Sequence, residues 1–252
     1  MKGKRLTVGI IGGMGPAATA LLFERIILAT PARRDQDHLH IIVDNDPTVP
    51  DRTAAITGNG PSPLDALVKS ARLLESAGAE VLAMPCMTAH YYINELTGHV
   101  KVRLIDAIDE LCAEIQRNPA IRTVGVLATD GSRRAGVYDR LSQHCEVVFP
   151  DAEFQARFMD AVYGPAGVKT VGPRPETSVT MAELAGRLRE QGADAVVAGC
   201  TEASVGFQAG SLAVPLLDPV AILASAVVRE AWAPGDSPGE AMSRVCAAAH
   251  PG

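Results

Sequence analysis

The chain says nearly the same thing twice, and any fold it adopts must accommodate that duplication. Val8-Gly9-Ile10-Ile11-Gly12-Gly13 is echoed by Val124-Gly125-Val126-Leu127-Ala128-Thr129. Ala79-Glu80-Val81-Leu82-Ala83-Met84-Pro85-Cys86 is echoed by Ala193-Asp194-Ala195-Val196-Val197-Ala198-Gly199-Cys200. Val102-Arg103-Leu104-Ile105-Asp106 is echoed by Val214-Pro215-Leu216-Leu217-Asp218. The three anchors share one register apart from a drift of a few residues, which loop insertions and deletions produce.

Each repeat alternates short apolar runs with helical stretches. Strands expected at Leu6 to Ile11, His40 to Val43 and Val81 to Met84 are separated by helices from about Pro16 to Leu28 and from Ser62 or Pro63 to Ala77. Pro16 suits a first helical turn, and Gly78 suits a helix stop. The polar, proline-punctuated stretch Asp44 to Thr53 is expected to be a loop. In the second repeat a helix is expected near Met181 to Glu190, leaving through Gly192-Ala193. Strands apolar on both faces that alternate with helices call for parallel sheets. The expected architecture is α/β: two similar parallel-sheet domains related by a pseudo-twofold duplication, with the active site in the cleft between them. The expected divisions are 1–113, 114–212, a closing strand and helix over 213–232 that packs back on the first repeat, and a peripheral tail over 233–252.

Composition narrows the function classes. A net charge of −6 offers no footprint for nucleic acid. No apolar run approaches the ~20 residues that span a bilayer. A signal peptide is not expected, because Gly12-Gly13-Met14-Gly15-Pro16 interrupts the first apolar stretch. Five cysteines, an odd number without CxxC spacing, argue against a disulfide framework and against a metal site. These features read as cytoplasmic.

Ligands in open α/β sheets bind beyond the carboxyl ends of strands. Both Cys86 and Cys200 fall at that edge, so two facing halves would bring one sulfur to each side of a shared cleft. Such a pair suits chemistry in which one face of a carbon loses a proton and the other gains one. Other candidates lie at the same edge. The Gly13-Met14-Gly15 turn can hold a small anion or be a tight turn only. Thr129-Asp130-Gly131-Ser132 can do the same or simply cap a helix. Arg52 can grip a carboxylate with both arms of its guanidinium, or be solvated, and Lys169 leaves the same choice open. His90 can orient a thiol or cap a helix. Glu202 can influence Cys200 or hold an ammonium. The GxGxxG spacing of a dinucleotide site is not met.

Taken together, Gly12-Gly13-Met14-Gly15-Pro16, Val49-Pro50-Asp51-Arg52-Thr53, Pro85-Cys86 with Thr88-Ala89-His90, Leu127-Ala128-Thr129-Asp130-Gly131-Ser132 and Gly199-Cys200-Thr201-Glu202 resemble the aspartate/glutamate racemase superfamily, in its aspartate racemase branch. The resemblance covers about residues 6 to 225. It implies an isomerase that racemises an acidic amino acid without pyridoxal phosphate or any other cofactor, and it suggests a homodimer. Cys86 and Cys200 would be the acid/base pair. Arg52 and Lys169 would hold the side-chain carboxylate, and Thr88, Thr129 and Thr201 would hold the α-carboxylate or line the pocket. Met14, Gly131, Ser132 and Glu202 complete the substrate-binding set that the resemblance implies. Glu202, where the glutamate branch has histidine, fits the aspartate branch. One position departs: Met87 stands where asparagine is usual, which replaces an amide donor with a weak thioether acceptor.

Two alternatives remain at this point. The superfamily resemblance extends to hydantoin racemases, maleate isomerases and arylmalonate decarboxylases. A non-catalytic dicarboxylate-binding protein would use Arg52 and the Gly-rich turns equally well.

Overall fold

The computed structural model describes residues 5–207 and 214–232, and the expected 233–252 tail lies outside them. The first half runs β1 (Val8–Gly12), α1 (Pro16–Ala29), β2 (Ile41–Asn45), α2 (Arg52–Thr57), α3 (Leu64–Ser76), β3 (Val81–Ala83), α4 (Ile93–Thr97), β4 (Arg103–Leu104) and α5 (Ala107–Arg117). The second runs β5 (Thr123–Val126), α6 (Asp130–Arg134), β6 (Glu146–Val148), α7 (Ala152–Tyr163), α8 (Val168–Val171), α9 (Pro175–Glu190), β7 (Ala195–Val197), α10 (Thr201–Gly206), β8 (Leu216–Leu217) and α11 (Pro219–Ala231).

The two halves form two four-stranded sheets with the same order, β2-β1-β3-β4 and β6-β5-β7-β8, and every pairing is parallel. The fold is therefore α/β with two like sheets, as the repeated sequence requires. In each sheet the chain reverses its direction of travel between the first and third strands, and a crevice opens at such a switch point. Met14 and Cys86 leave the carboxyl ends of β1 and β3, while Thr129 and Cys200 leave those of β5 and β7.

One apolar cluster serves both halves. Val8, Ile10, Leu22 and Ile26 share it with Val124, Val126, Val197, Val220 and Val227. Separate clusters back the outer faces, one around Leu67, Leu74 and Leu82, the other around Leu184, Leu188 and Val196. The strand of the closing segment, β8, pairs with β7 in the second sheet, while its helix α11 lies against α1 and α5. No helix among the described residues is long and apolar enough to cross a membrane.

Local chemistry explains most boundaries. Pro16 opens α1, which buries Ala18, Leu22, Ile26 and Ala29 at helical spacing. Asp106 and Asp218 occupy matching positions and cap α5 and α11 through bonds to Ile108 N and Val220 N. The expected loop from Asp44 to Thr53 is shorter than its prolines suggest. β2 continues to Asn45, and α2 begins at Arg52 because Asp51 accepts the Ala54 N–H at 2.7 Å.

The segments after the two cysteines are anchored at equivalent points. His90, four residues past Cys86, donates from Nδ1 to the Cys86 carbonyl at 3.0 Å. Its Nε2 accepts the Ala107 N–H at the start of α5, at 3.1 Å. Ser204, four past Cys200, donates to the Asp218 carboxylate at 2.7 Å at the start of α11. His90 is thus a helix cap that also fixes the peptide of Cys86.

Gly13 is required by its conformation and by its neighbours. Its φ is +92°, and a Cβ there would lie 2.1 Å from the Asp46 carbonyl oxygen. Gly58 has a similar φ of +83° with open space around it. Left-handed strain of about 1–2 kcal/mol applies to both, so Gly13→Ala should lower Tm distinctly more than Gly58→Ala. Equal losses would show that Asp46 yields freely.

Burial holds His90 neutral and its pKa below the usual histidine value, outweighing the pull of Asp106. In the unfolded chain the ring takes up its proton near pH 6.5. The unfolded state then binds more protons than the folded one between that pH and the lower folded pKa. Stability is therefore intact above about 6.5 and declines below it, at up to about 1.4 kcal/mol per pH unit. Urea unfolding from pH 7.5 to 5.5 should show a steeper loss for the native protein than for His90→Gln. Parallel curves would remove His90 as the cause.

Candidate active site

The carboxyl ends of the two switch points face one another across a seam, and the seam encloses a small cavity of about 10 Å³, room for about one water molecule. Cys86 enters it from the end of β3 and Cys200 from the end of β7. Both are buried, at 5% and 4% exposed. Cys112 and Cys145 lie elsewhere, in or against the shared core.

The two thiols have opposite electrical neighbours. Cys200 donates its Sγ–H to Glu202 Oε2 at 2.8 Å, and Lys169 Nζ donates to the other oxygen, Oε1, at 2.7 Å. Burial raises the Cys200 pKa well above the ordinary thiol value, and the Glu202 charge adds to the rise. Lys169 and the Glu202 backbone amide pull against it without prevailing. Cys200 is therefore a protonated thiol in this arrangement. Cys86 instead lies within electrostatic reach of the Arg52 guanidinium.

Arg52 is 7% exposed, and its Nη1 donates to the Val49 and Pro50 carbonyls at 3.1 and 3.0 Å. Those bonds fix the plane of the guanidinium. Its Nε is buried without a hydrogen-bond partner among the described residues. Burial opposes the charge on Arg52, but its interactions with the acidic groups beside it, Cys86 first and then Asp51, outweigh burial and raise its pKa. Burial also opposes the Lys169 charge, and Glu202 more than compensates.

A cluster of hydroxyls joins the halves behind the sulfurs. Thr88 Oγ1 from the first half lies 3.2 Å from Thr129 Oγ1 of the second, and Ser132 Oγ donates to Thr88 Oγ1 at 2.9 Å. Thr129 Oγ1 and Ser132 Oγ are 3.0 Å apart. Thr129 also caps α6 by accepting the Ser132 N–H. Thr53 Oγ1 extends the chain toward the rim, 3.4 Å from Thr129 Oγ1 and 3.4 Å from the Tyr163 hydroxyl.

Of the residues expected from the sequence, Met14, Arg52, Cys86, Met87, Thr88, Thr129, Lys169, Cys200, Thr201 and Glu202 all line the cavity. Gly131 and Ser132 do not. Ser132 sits behind the lining threonines, and a side chain at Gly131 would run into Thr53 at 2.7 Å. Met87 belongs both to the lining and to the shared core.

Two tyrosines escaped the sequence reading. Tyr163, at the end of α7, lines the cavity, and its hydroxyl reaches Asp51 Oδ2 at 3.4 Å across the seam. The Lys169 ammonium lies 5.4 Å from its ring centroid. Tyr138 lies beneath the cavity and donates to the Gly199 carbonyl at 2.5 Å. Neither falls in a repeated motif, and both contacts span long stretches of chain, so no local signal marked them.

This arrangement can remove and return a proton at one carbon from two sides while balancing carboxylate charge with Arg52 and Lys169. Known proteins share the framework. The chain matches the Asp/Glu/hydantoin racemase family over residues 11–227. It is 26% identical over 229 residues to the broad specificity amino-acid racemase RacX of Bacillus subtilis (strain 168), covering 88% of this chain and 96% of that protein. The Picrophilus torridus aspartate racemase superposes with a TM-score of 0.78 at 31% identity, over 91% of this chain and 94% of that one. Glutamate racemase from Francisella tularensis subsp. tularensis SCHU S4, solved with D-glutamate, shares the fold at 14% identity with a TM-score of 0.63, over 97% of this chain and 93% of that one. With a match that runs through nearly all of both repeats and takes in both cysteines, the chain belongs to the Asp/Glu/hydantoin racemase family of enzymes.

Proposed function

We propose that the protein racemises an α-amino acid, with aspartate, glutamate or a close acidic analogue as substrate, using Cys86 and Cys200 as paired base and acid. The observation that carries this reading is that both sulfurs reach one enclosed cavity from opposite halves, each at a strand's carboxyl end. The opposed charges beside them fit a division of labour. Arg52 is the counter-charge for a thiolate at Cys86, and Cys200 holds its proton against Glu202. For one enantiomer, Cys86 takes the α-proton and Cys200 delivers its own to the other face of the carbanion. The opposite enantiomer reverses the roles.

Removing an α-proton leaves charge spread from the carbon to the α-carboxylate, and fixed cations and N–H dipoles stabilise that charge best where water is excluded. Arg52 and Lys169 supply the cations, and Cys200 stands at the N-terminus of α10. Lys169 is already paired with Glu202, so the Glu202 carboxylate is also placed to receive a substrate ammonium.

In D₂O, L-aspartate or L-glutamate should acquire α-deuterium. Cys86→Ser and Cys200→Ser should each reduce racemisation by about two to four orders of magnitude, the range of a positioned acid or base. Failure of the native enzyme to exchange any acidic amino acid would overturn the reading. Arg52→Lys keeps the charge but loses the planar fork. It should lower kcat/KM by roughly 10–100-fold, the loss of about one charge-assisted hydrogen bond. A value near that of the native enzyme in steady-state assays would take Arg52 out of substrate binding.

A further inference from the structure

We infer that Tyr138 is a positioning residue for one of the two proton transfers, acting on Cys200 through the Gly199 carbonyl. This inference rests on the two-cysteine reading above and assigns a part to a residue outside the cavity lining.

Tyr138 is 1% exposed, follows α6 and precedes the 3₁₀ turn Asp139–Gln143. Its ring is packed in the core shared by both halves. The phenolic O–H makes a single short bond, 2.5 Å, to the carbonyl of Gly199. That carbonyl belongs to the peptide leading directly into Cys200. With the side chain buried, the phenol stays protonated, because burial raises its pKa well above the usual value. It is therefore a donor across the working pH range.

Space at Gly199 makes the contact sensitive. A Cβ there would stand 2.9 Å from the Leu127 carbonyl oxygen and 3.0 Å from the Tyr138 hydroxyl. The Gly199 N–H is bonded to Val197 at 2.8 Å, and Ala198 N is bonded to Leu217 at 3.0 Å. The strand end is thus fixed from the sheet side by backbone bonds, and its last carbonyl is fixed from below by Tyr138. The peptide that bears Cys200 cannot turn without breaking that bond. On the other half no tyrosine plays this part; His90 instead holds the carbonyl of Cys86, on the peptide after the cysteine, at 3.0 Å. Each sulfur has its own tether, so loosening one should disturb one proton transfer and leave the other.

Directional isotope effects can detect this. The two enantiomers are equally stable, so kcat/KM must fall by the same factor from either side when one transfer is slowed. The α-deuterium isotope effect need not change equally. For the enantiomer deprotonated by Cys200, slowing that transfer makes C–H cleavage more fully rate-limiting, and kH/kD rises. For its mirror image, cleavage by Cys86 becomes less limiting, and kH/kD falls.

The experiment compares α-protiated and α-deuterated D- and L-aspartate, or glutamate if that is the acid turned over. The enzymes are the native protein, Cys200→Ser, Cys86→Ser and Tyr138→Phe, with Tm recorded for each. Tyr138→Phe should lower kcat/KM about tenfold or more, as a displaced catalytic group does. It should shift the two isotope effects apart in the same sense as Cys200→Ser and opposite to Cys86→Ser. Tyr138→p-aminophenylalanine, which restores an N–H donor, should return both toward native values and guards against a phenylalanine variant that folds poorly. Isotope effects unchanged, or changed alike for both enantiomers, would overturn the inference while leaving the two-cysteine reading intact. A native enzyme that racemises neither acid would remove both.

Discussion

The arrangement depends on three hydroxyls that satisfy one another across the seam between two sheets. Thr88 belongs to the first half, Thr129 and Ser132 to the second, and all three are buried. A buried hydroxyl without a partner costs roughly 1–3 kcal/mol, so each half supplies what the other needs. Thr88 and Thr129 line the cavity with Ser132 behind them, and together they tie the two switch points to each other. Apolar packing around Val8, Val124 and Val220 brings the halves into contact, but packing alone tolerates sliding. Directional bonds between named side chains remove that freedom and set where the two cysteines stand.

Within this frame the duplication has diverged where chemistry needs it to. Cys86 and Cys200 are equivalent, yet two residues further on Thr88 matches Glu202. A hydroxyl joins the seam on one side, while a carboxylate takes the Cys200 proton contact and the Lys169 ammonium on the other. Four residues past each cysteine, His90 and Ser204 perform the same anchoring task with different groups. Position has been retained and charge has been changed. The result is one thiol beside a cation and one beside an anion.

Much of this was legible in the sequence because repetition is a long-range signal. Matching anchors at Val8 and Val124, Cys86 and Cys200, and Val102 and Val214 announced two like sheets, and parallel sheets place both cysteines at one edge. Ten of the twelve expected site residues line the cavity for the same reason. Other features depend on contacts between distant, unrepeated residues. Proline spacing suggested a loop through Thr53, but a single Asp51 cap starts α2 at Arg52. Thr129-Asp130-Gly131-Ser132 read equally as an anion-holding turn or a helix cap; Thr129 both caps α6 and lines the cavity, whereas Gly131 admits Thr53 and Ser132 supports the threonines from behind. Tyr138 and Tyr163 act over 61 and 112 residues of separation, and nothing local distinguishes them from ordinary aromatic residues.

The graded lengths of the cross-seam bonds give the molecule a preferred axis. At the base, Thr88, Thr129 and Ser132 meet at 2.9–3.2 Å. At the rim, Thr53 and Asp51 meet Tyr163 at 3.4 Å, near the limit of a useful hydrogen bond. Between these two sets of contacts lies the cavity, lined by Cys86, Cys200, Arg52 and Lys169. The shorter contacts lie at the hydroxyl cluster and the longer, weaker ones at Tyr163, so the seam is tied most firmly where Thr88 meets Thr129 and Ser132.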